Sequence, residues 1–93
     1  MSEADYQKVT QLDARLSELL IKMQAEVTKD LEQEVFQTHK AWLSYFWPSY
    51  SEEAHLGIVE MYLADPRFTA YYDDKAGTGA AKLLHDAVQN ELR

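Results

Sequence analysis

The stretch from His39 to Asp73, HKAWLSYFWPSYSEEAHLGIVEMYLADPRFTAYYD, decides how this chain is read. It holds every aromatic residue except Tyr6 and Phe36, and two of the three histidines, His39 and His55. Its punctuation is helical. Pro48 disfavours helical geometry at Trp47, so a helix arriving from the N-terminal side ends there. Ser49 or Ser51 can cap the next helix, with Glu52 and Glu53 in its first turn, where the helix dipole favours acids. Asp65-Pro66 starts a further helix, Asp as N-cap and Pro at the first helical position. Tryptophan and tyrosine each bring a large apolar area with a polar tip. So many together form either an unusually aromatic core or the walls of a pocket for something flat and hydrophobic.

On the N-terminal side, Val9, Leu12, Leu16, Leu19 and Met23 recur at spacings of three and four, with Leu20 broadening the stripe. This predicts an amphipathic first helix from about Asp5 to Glu26. Thr28 and Asp30 are caps for a second helix, Asp30 pairing with Gln33 as a capping box. Leu31, Val35, His39, Trp42 and Phe46 then line one face up to Trp47. From Ala54 to Ala64 the third helix is apolar nearly all round, which predicts a central, multiply buried position. Gly57 lies inside it, as a glycine that permits close approach of another backbone or a ligand would. A short fourth helix ends before Ala76-Gly77-Thr78-Gly79, and Thr78 is the expected cap of a fifth helix. Its buried stripe is Ala80, Leu83, Leu84, Ala87 and Val88. No segment alternates with period two. The expectation is a compact all-α, five-helix single domain spanning residues 1–93.

A formal charge of -7 repels phosphate backbones and anionic lipid, which argues against direct nucleic-acid binding by this segment and against membrane docking. Without cysteine there is no disulfide, thiolate nucleophile or Cys-ligated metal. The start, MSEADYQK, lacks the pattern of a signal peptide, so the expected location is cytoplasmic.

HLGIVEMYLADPRFTAYYD, preceded by HKAWLSYFWPSYSEEA, resembles the TipAS antibiotic-recognition domain family. The residues that carry the resemblance are Tyr50-Ser51-Glu52-Glu53-Ala54-His55 and Glu60-Met61-Tyr62-Leu63-Ala64-Asp65-Pro66-Arg67-Phe68-Thr69, with the closing helix Ala80–Val88 also fitting. The resemblance implies a globin-like helical domain whose cleft binds thiopeptides and similar azole-rich or polycyclic antibiotics. It also implies a role in transcriptional drug sensing, behind an N-terminal MerR-type DNA-binding region, or in drug sequestration as a free-standing protein. Two positions depart from the family pattern. Glu52 stands where many members have proline, and Gly57 stands where the founding member has a cysteine that captures ligand covalently. Binding here is therefore expected to be reversible.

The candidate ligand-binding residues are His39, Trp42, Phe46, Trp47, Tyr50, His55, Met61, Tyr62, Tyr71 and Tyr72. Trp47 and Tyr50, near a helix end, are favoured over Trp42 as cleft walls, and Tyr71 or Tyr72 as its lid. Each aromatic has core packing as its alternative. A histidine on an apolar helix face is more often a hydrogen-bonded core residue than a ligand, which applies to His39 and His55. Their spacing matches no zinc pattern, so neither a metal nor haem is assigned. The acidic pairs Glu52-Glu53 and Asp73-Asp74 read as solvated helix ends rather than general acid–base carboxylates. No catalytic residue and no cofactor are expected. The competing reading is a helical interaction module whose dimer seam runs from Val9 to Met23.

Overall fold

The computed structural model describes residues 1–93 as five helices: α1 (Glu3–Ala25), α2 (Lys29–Ser44), α3 (Glu52–Ala64), α4 (Pro66–Ala76) and α5 (Ala80–Leu92). There are no strands, and the domain is all-α. Four of the five helices start on a local side-chain cap that satisfies an otherwise orphaned N–H. The Ser2 hydroxyl accepts from the Asp5 N–H at 3.1 Å, Thr28 from Leu31 at 3.1 Å and Ser51 from Ala54 at 3.1 Å. Asp65 accepts from the Arg67 N–H at 3.0 Å, and its other oxygen meets the Arg67 guanidinium at 2.9 Å. Thr28 therefore caps α2, and the capping box expected from Asp30 and Gln33 is not the one used.

The fifth helix is capped differently from the expectation. Gly79 is its N-cap residue and Thr78 makes no cap bond. The N–H groups of Gly79 and Ala81 instead donate to the two carboxylate oxygens of Asp73, at 3.1 and 3.0 Å. This cap reaches back across the turn from α4. The turn needs glycine, since Gly77 and Gly79 have φ of +102° and +92°. It is pinned from outside by Gln24 of α1, whose amide donates to the carbonyls of Ala76 and Thr78.

The end of α2 is also earlier than Trp47. Helical geometry stops at Ser44, and the chain tightens so that Tyr45 and Phe46 donate to the carbonyls of Trp42 and Leu43. Only the Trp47 N–H still reaches four residues back, to Leu43, before Pro48 ends the pattern.

The core joins Leu16, Leu19, Leu20 and Met23 of α1 to Val35 and Phe36 of α2, Val59 and Tyr62 of α3, and Tyr72 and Ala76 of α4. α5 supplies Ala80, Ala81, Leu84, Ala87 and Val88, and it packs against each of the other four helices. Three alanines on that face keep its side chains short and let the neighbours come close. The central helix is thus α5, not α3. In α3 only His55, Val59 and Tyr62 are buried, while Met61 and Leu63 remain 36% and 39% exposed. Gly57 lies on the open side, where an added Cβ would meet nothing within 4 Å, so no close approach explains it.

Removing the cross-turn cap should be measurable. Asp73→Ala is expected to lower stability by about 0.5–2 kcal/mol, the usual cost of losing an N-cap, while Thr78→Ala changes little. Urea denaturation of both variants checks this. Equal loss in the two, or loss in Thr78→Ala alone, would show that Asp73 is not the cap.

Candidate functional site

Placing Asp65-Pro66 at the start of α4 fixes which of its side chains share a face. Phe68, Tyr71 and Tyr72 are three and four residues apart and therefore neighbours on one side of the helix. They face Trp42 of α2 and Tyr62 of α3 across a cavity of about 260 Å³, and these five residues are its complete lining. The Tyr62 ring stacks on Phe68 with centroids 5.6 Å apart and lies 4.9 Å from Tyr72, and Tyr71 meets Tyr72 edge to face at 5.0 Å. Tyr62 and Tyr72 are buried and form the floor, whereas Phe68 and Tyr71 are partly exposed and form the rim. The Thr69 hydroxyl donates to the Tyr62 carbonyl and ties α4 to α3 beside the floor.

The rim is held from α1. Lys75 donates to the Asp13 carboxylate at 2.6 Å and to the Tyr71 hydroxyl at 2.8 Å, with its ammonium 4.1 Å from the Tyr71 ring centroid. Partial burial alone would lower the Lys75 pKa, but the bonds to Asp13 and Tyr71 outweigh it and hold the ammonium charged above its ordinary range.

Beneath the floor lies a chain of four polar side chains, buried except at its Tyr50 end. The Tyr50 hydroxyl is 2.7 Å from His55 Nδ1, His55 Nε2 is 2.8 Å from His39 Nδ1, and His39 Nε2 is 3.2 Å from the Tyr62 hydroxyl. Both imidazoles are fully buried, and no buried side-chain polar atom of the protein lacks a partner. Phe36 stacks on His55 at 5.2 Å, and Trp42 lies nearly parallel to His39 at 5.9 Å. Burial pushes the pKa of His39 down to about 3, helped by its histidine neighbour. His55 is pushed down to about 4, again by burial first and then by the Lys40 ammonium. Burial raises Tyr62 and Tyr72 above the ordinary tyrosine value. The hydroxyls are therefore neutral, and so are the imidazoles.

Of the sequence candidates, Trp42, Tyr62, Tyr71 and Tyr72 come together at the cavity. His39 and His55 lie behind it as the hydrogen-bonded core pair. Phe46 flanks Trp42 at 4.7 Å and is half exposed beside the cavity. Trp47 and Tyr50 pack on each other at 6.3 Å and do not line the cavity, so the wall from α2 is Trp42 rather than these two. The early end of α2 is the reason, because it turns Trp47 away with the connecting loop. Met61 lies outside the lining on the outer side of α3. Phe68 is the lining residue missing from the candidates. Its spacing to Tyr71 and Tyr72 was the available signal. No group of three or more His, Asp or Glu side chains converges as a metal-ligating cluster.

Two buried neutral histidines make stability depend on pH with a defined sign. Their folded pKa values are below the ordinary 6.5, so unfolding takes up protons whenever the pH drops under that value. The contribution is complete above pH 6.5 and is lost as the pH falls toward about 4 for His55 and about 3 for His39. Asp65 and Asp86, held below the ordinary carboxylate value by their hydrogen-bonded cationic partners against the opposing effect of burial, stay ionised over this window. The urea midpoint should therefore fall between pH 7 and pH 5. A midpoint that does not move over that interval would show that the pair is not held neutral.

Comparison with known proteins bears on what such a cavity serves. No curated protein and no solved structure matches the chain. The family model for the TipAS antibiotic-recognition domain, however, matches residues 1–90. A match of that extent takes in all five helix starts, the aromatic cavity and the histidine pair, and so the chain belongs to the TipAS antibiotic-recognition domain family.

Proposed function

We propose that the cavity between α2, α3 and α4 reversibly binds thiopeptide-like or other azole-rich and polycyclic antibiotics, for drug sensing or sequestration. The observation that carries this reading is the lining itself, five aromatic side chains and nothing else, in a member of an antibiotic-recognition family. A pocket for flat ligands needs apolar walls and a few polar groups to set orientation. Here the walls are Trp42, Phe68 and Tyr71, and the polar group at the rim is the Tyr71 hydroxyl, held by Asp13 and Lys75. At about 260 Å³ the cavity takes one ring system of such a ligand. The remainder of a macrocycle lies over the exposed Phe46, Phe68 and Tyr71. Stacking on rings of this kind is worth about 0.5–1.5 kcal/mol per pair beyond the buried area.

Nothing in this arrangement is built for covalent chemistry. The imidazoles are engaged with each other and with tyrosine hydroxyls behind the wall, and Gly57 stands at the position where the founding member of the family has its capturing cysteine. The alternative of a dimerisation seam on α1 has less support, because Leu16, Leu19, Leu20 and Met23 are already buried in the domain's own core.

Titration with a panel of thiopeptides and other polycyclic peptide antibiotics tests the reading. Tryptophan fluorescence should be quenched saturably, and the quenching should persist in Trp47→Phe and largely vanish in Trp42→Phe. Tyr71→Ala should weaken binding by more than about 1 kcal/mol, the scale that separates interface hot spots from neutral contacts. Mass spectrometry should find no adduct. A panel without any saturable signal, by fluorescence or calorimetry, would overturn the proposal.

A further inference from the structure

Consecutive in the chain, α2 and α3 nevertheless rest on different neighbours. α2 packs along α1 and α5, and α3 along α4 and α5, whereas α2 is packed closely along neither α3 nor α4. The cavity lies in that gap, with Trp42 on the α2 side and Tyr62, Phe68, Tyr71 and Tyr72 on the other. Side chains rather than backbones bridge the gap behind it. Phe36 of α2 stacks on His55 of α3. His39 of α2 is bonded to α3 at each of its ring nitrogens, through Nδ1 to His55 at 2.8 Å and through Nε2 to Tyr62 at 3.2 Å. His55 and Tyr62 are seven residues apart, two turns along one face of α3. A single imidazole is thus clamped at two points, which fixes how α2 stands against α3 both in distance and along the helix axis.

His39 also touches both sides of the cavity from behind. Its ring lies nearly parallel to Trp42, with centroids 5.9 Å apart, and meets the Tyr62 ring edge to face at 5.7 Å. It is fully buried and is no part of the lining. Hydrogen bonds hold a narrow range of distance and direction, and a buried network with every partner in place rigidifies the core around it. An apolar residue at this position would fill the space, whereas the doubly bonded imidazole specifies a separation. We infer that His39 is a positioning residue that sets the Trp42 wall against the Tyr62 floor, and that it thereby selects flat ring systems over globular hydrocarbons of similar size. The inference rests on the reading of the cavity as a ligand site. The Tyr62 hydroxyl takes no part in holding a guest. It is the point at which His39 holds the floor.

The bond between His39 and Tyr62 can be cut from either end. Tyr62→Phe keeps the floor ring and removes the oxygen that His39 holds. His39→Asn keeps an amide where Nδ1 stands, facing His55, and reaches no further. His39→Gln carries its amide out to the place of Nε2 and so can still hold Tyr62, at the cost of the bond to His55. Two neutral probes of similar size, flat indole and globular adamantan-1-ol, are titrated into each folded protein at pH 7.5. The Trp42 ring signals in proton–nitrogen spectra of the whole 15N-labelled protein report occupancy, and urea denaturation gives stability. The unmodified protein should prefer indole. In Tyr62→Phe and in His39→Asn that preference should fall roughly two- to tenfold, the scale of one hydrogen bond. His39→Gln should lose more stability than Tyr62→Phe yet keep more of the preference for indole, an order that a merely structural role does not produce.

A preference unchanged in the folded Tyr62→Phe and His39→Asn proteins would overturn the role of His39 while leaving the cavity reading intact. So would an unmodified protein that takes both probes equally, or a His39→Gln protein that discriminates no better than Tyr62→Phe. Should one of the two cutting variants fail to fold, the other decides. Probes that do not perturb Trp42 of the unmodified protein at all would remove the ligand site on which the inference rests, and the inference with it.

Discussion

One bond organises the middle of this domain: the 2.8 Å contact between His55 Nε2 and His39 Nδ1. It joins α2 to α3 at a place from which water is excluded, where an unpaired polar atom would cost on the order of 1–3 kcal/mol. Everything around it has to keep both rings neutral and both remaining nitrogens satisfied. Phe36 and Trp42 cover the ring faces, Tyr50 closes one end and Tyr62 the other. The aromatic density of this part of the sequence follows from that requirement. Tyrosine is the side chain that can both shield an imidazole and answer its last nitrogen.

The same residues divide the molecule into a wet side and a dry side. Carboxylates and ammonium groups are kept to the perimeter, where pairs such as Arg15–Glu34 and Lys82–Asp86 are solvated and contribute little each. The cavity opens between the two regions. Its floor is buried tyrosine and its rim is exposed aromatic surface, so an occupant meets no formal charge among the residues that line it. A surface of this kind offers ring faces rather than charges.

How much of this could be read from the chain differs by element. Thr28, Ser51 and Asp65 were legible because a cap is a local bond between residues two or three apart. Asp73 was not, because it caps a helix on the far side of a glycine turn, where Thr78 offered a cheaper local answer. The apolar run of α3 suggested a central helix, yet hydrophobic composition does not say which face finds a partner. The alanine-rich α5 took the centre because small side chains allow four neighbours to approach. The aromatic cluster allowed a core or a pocket wall at each residue, and the choice of Trp42 over Trp47 depended on where α2 unwinds, a matter of three residues. His39 and His55 were ligand candidates with a core role as the commoner alternative, and their mutual bond could not be read, because a contact between residues sixteen apart in sequence leaves no periodic trace.

The anchoring of Tyr71 makes the cavity rim and the first helix one mechanical body. Moving Tyr71 outward strains its own bonds to Asp13 of α1 and to Lys75, which Asp13 also holds, and so does work on α1, a helix that contributes no lining residue. Lys75 and Asp13 are both partly open to solvent, with side chains 39% and 25% exposed, so dissolved salt screens their contact. The entrance is consequently stiff in dilute buffer and more compliant in concentrated salt, while the floor, held by neutral hydrogen bonds and packing, keeps its shape in both.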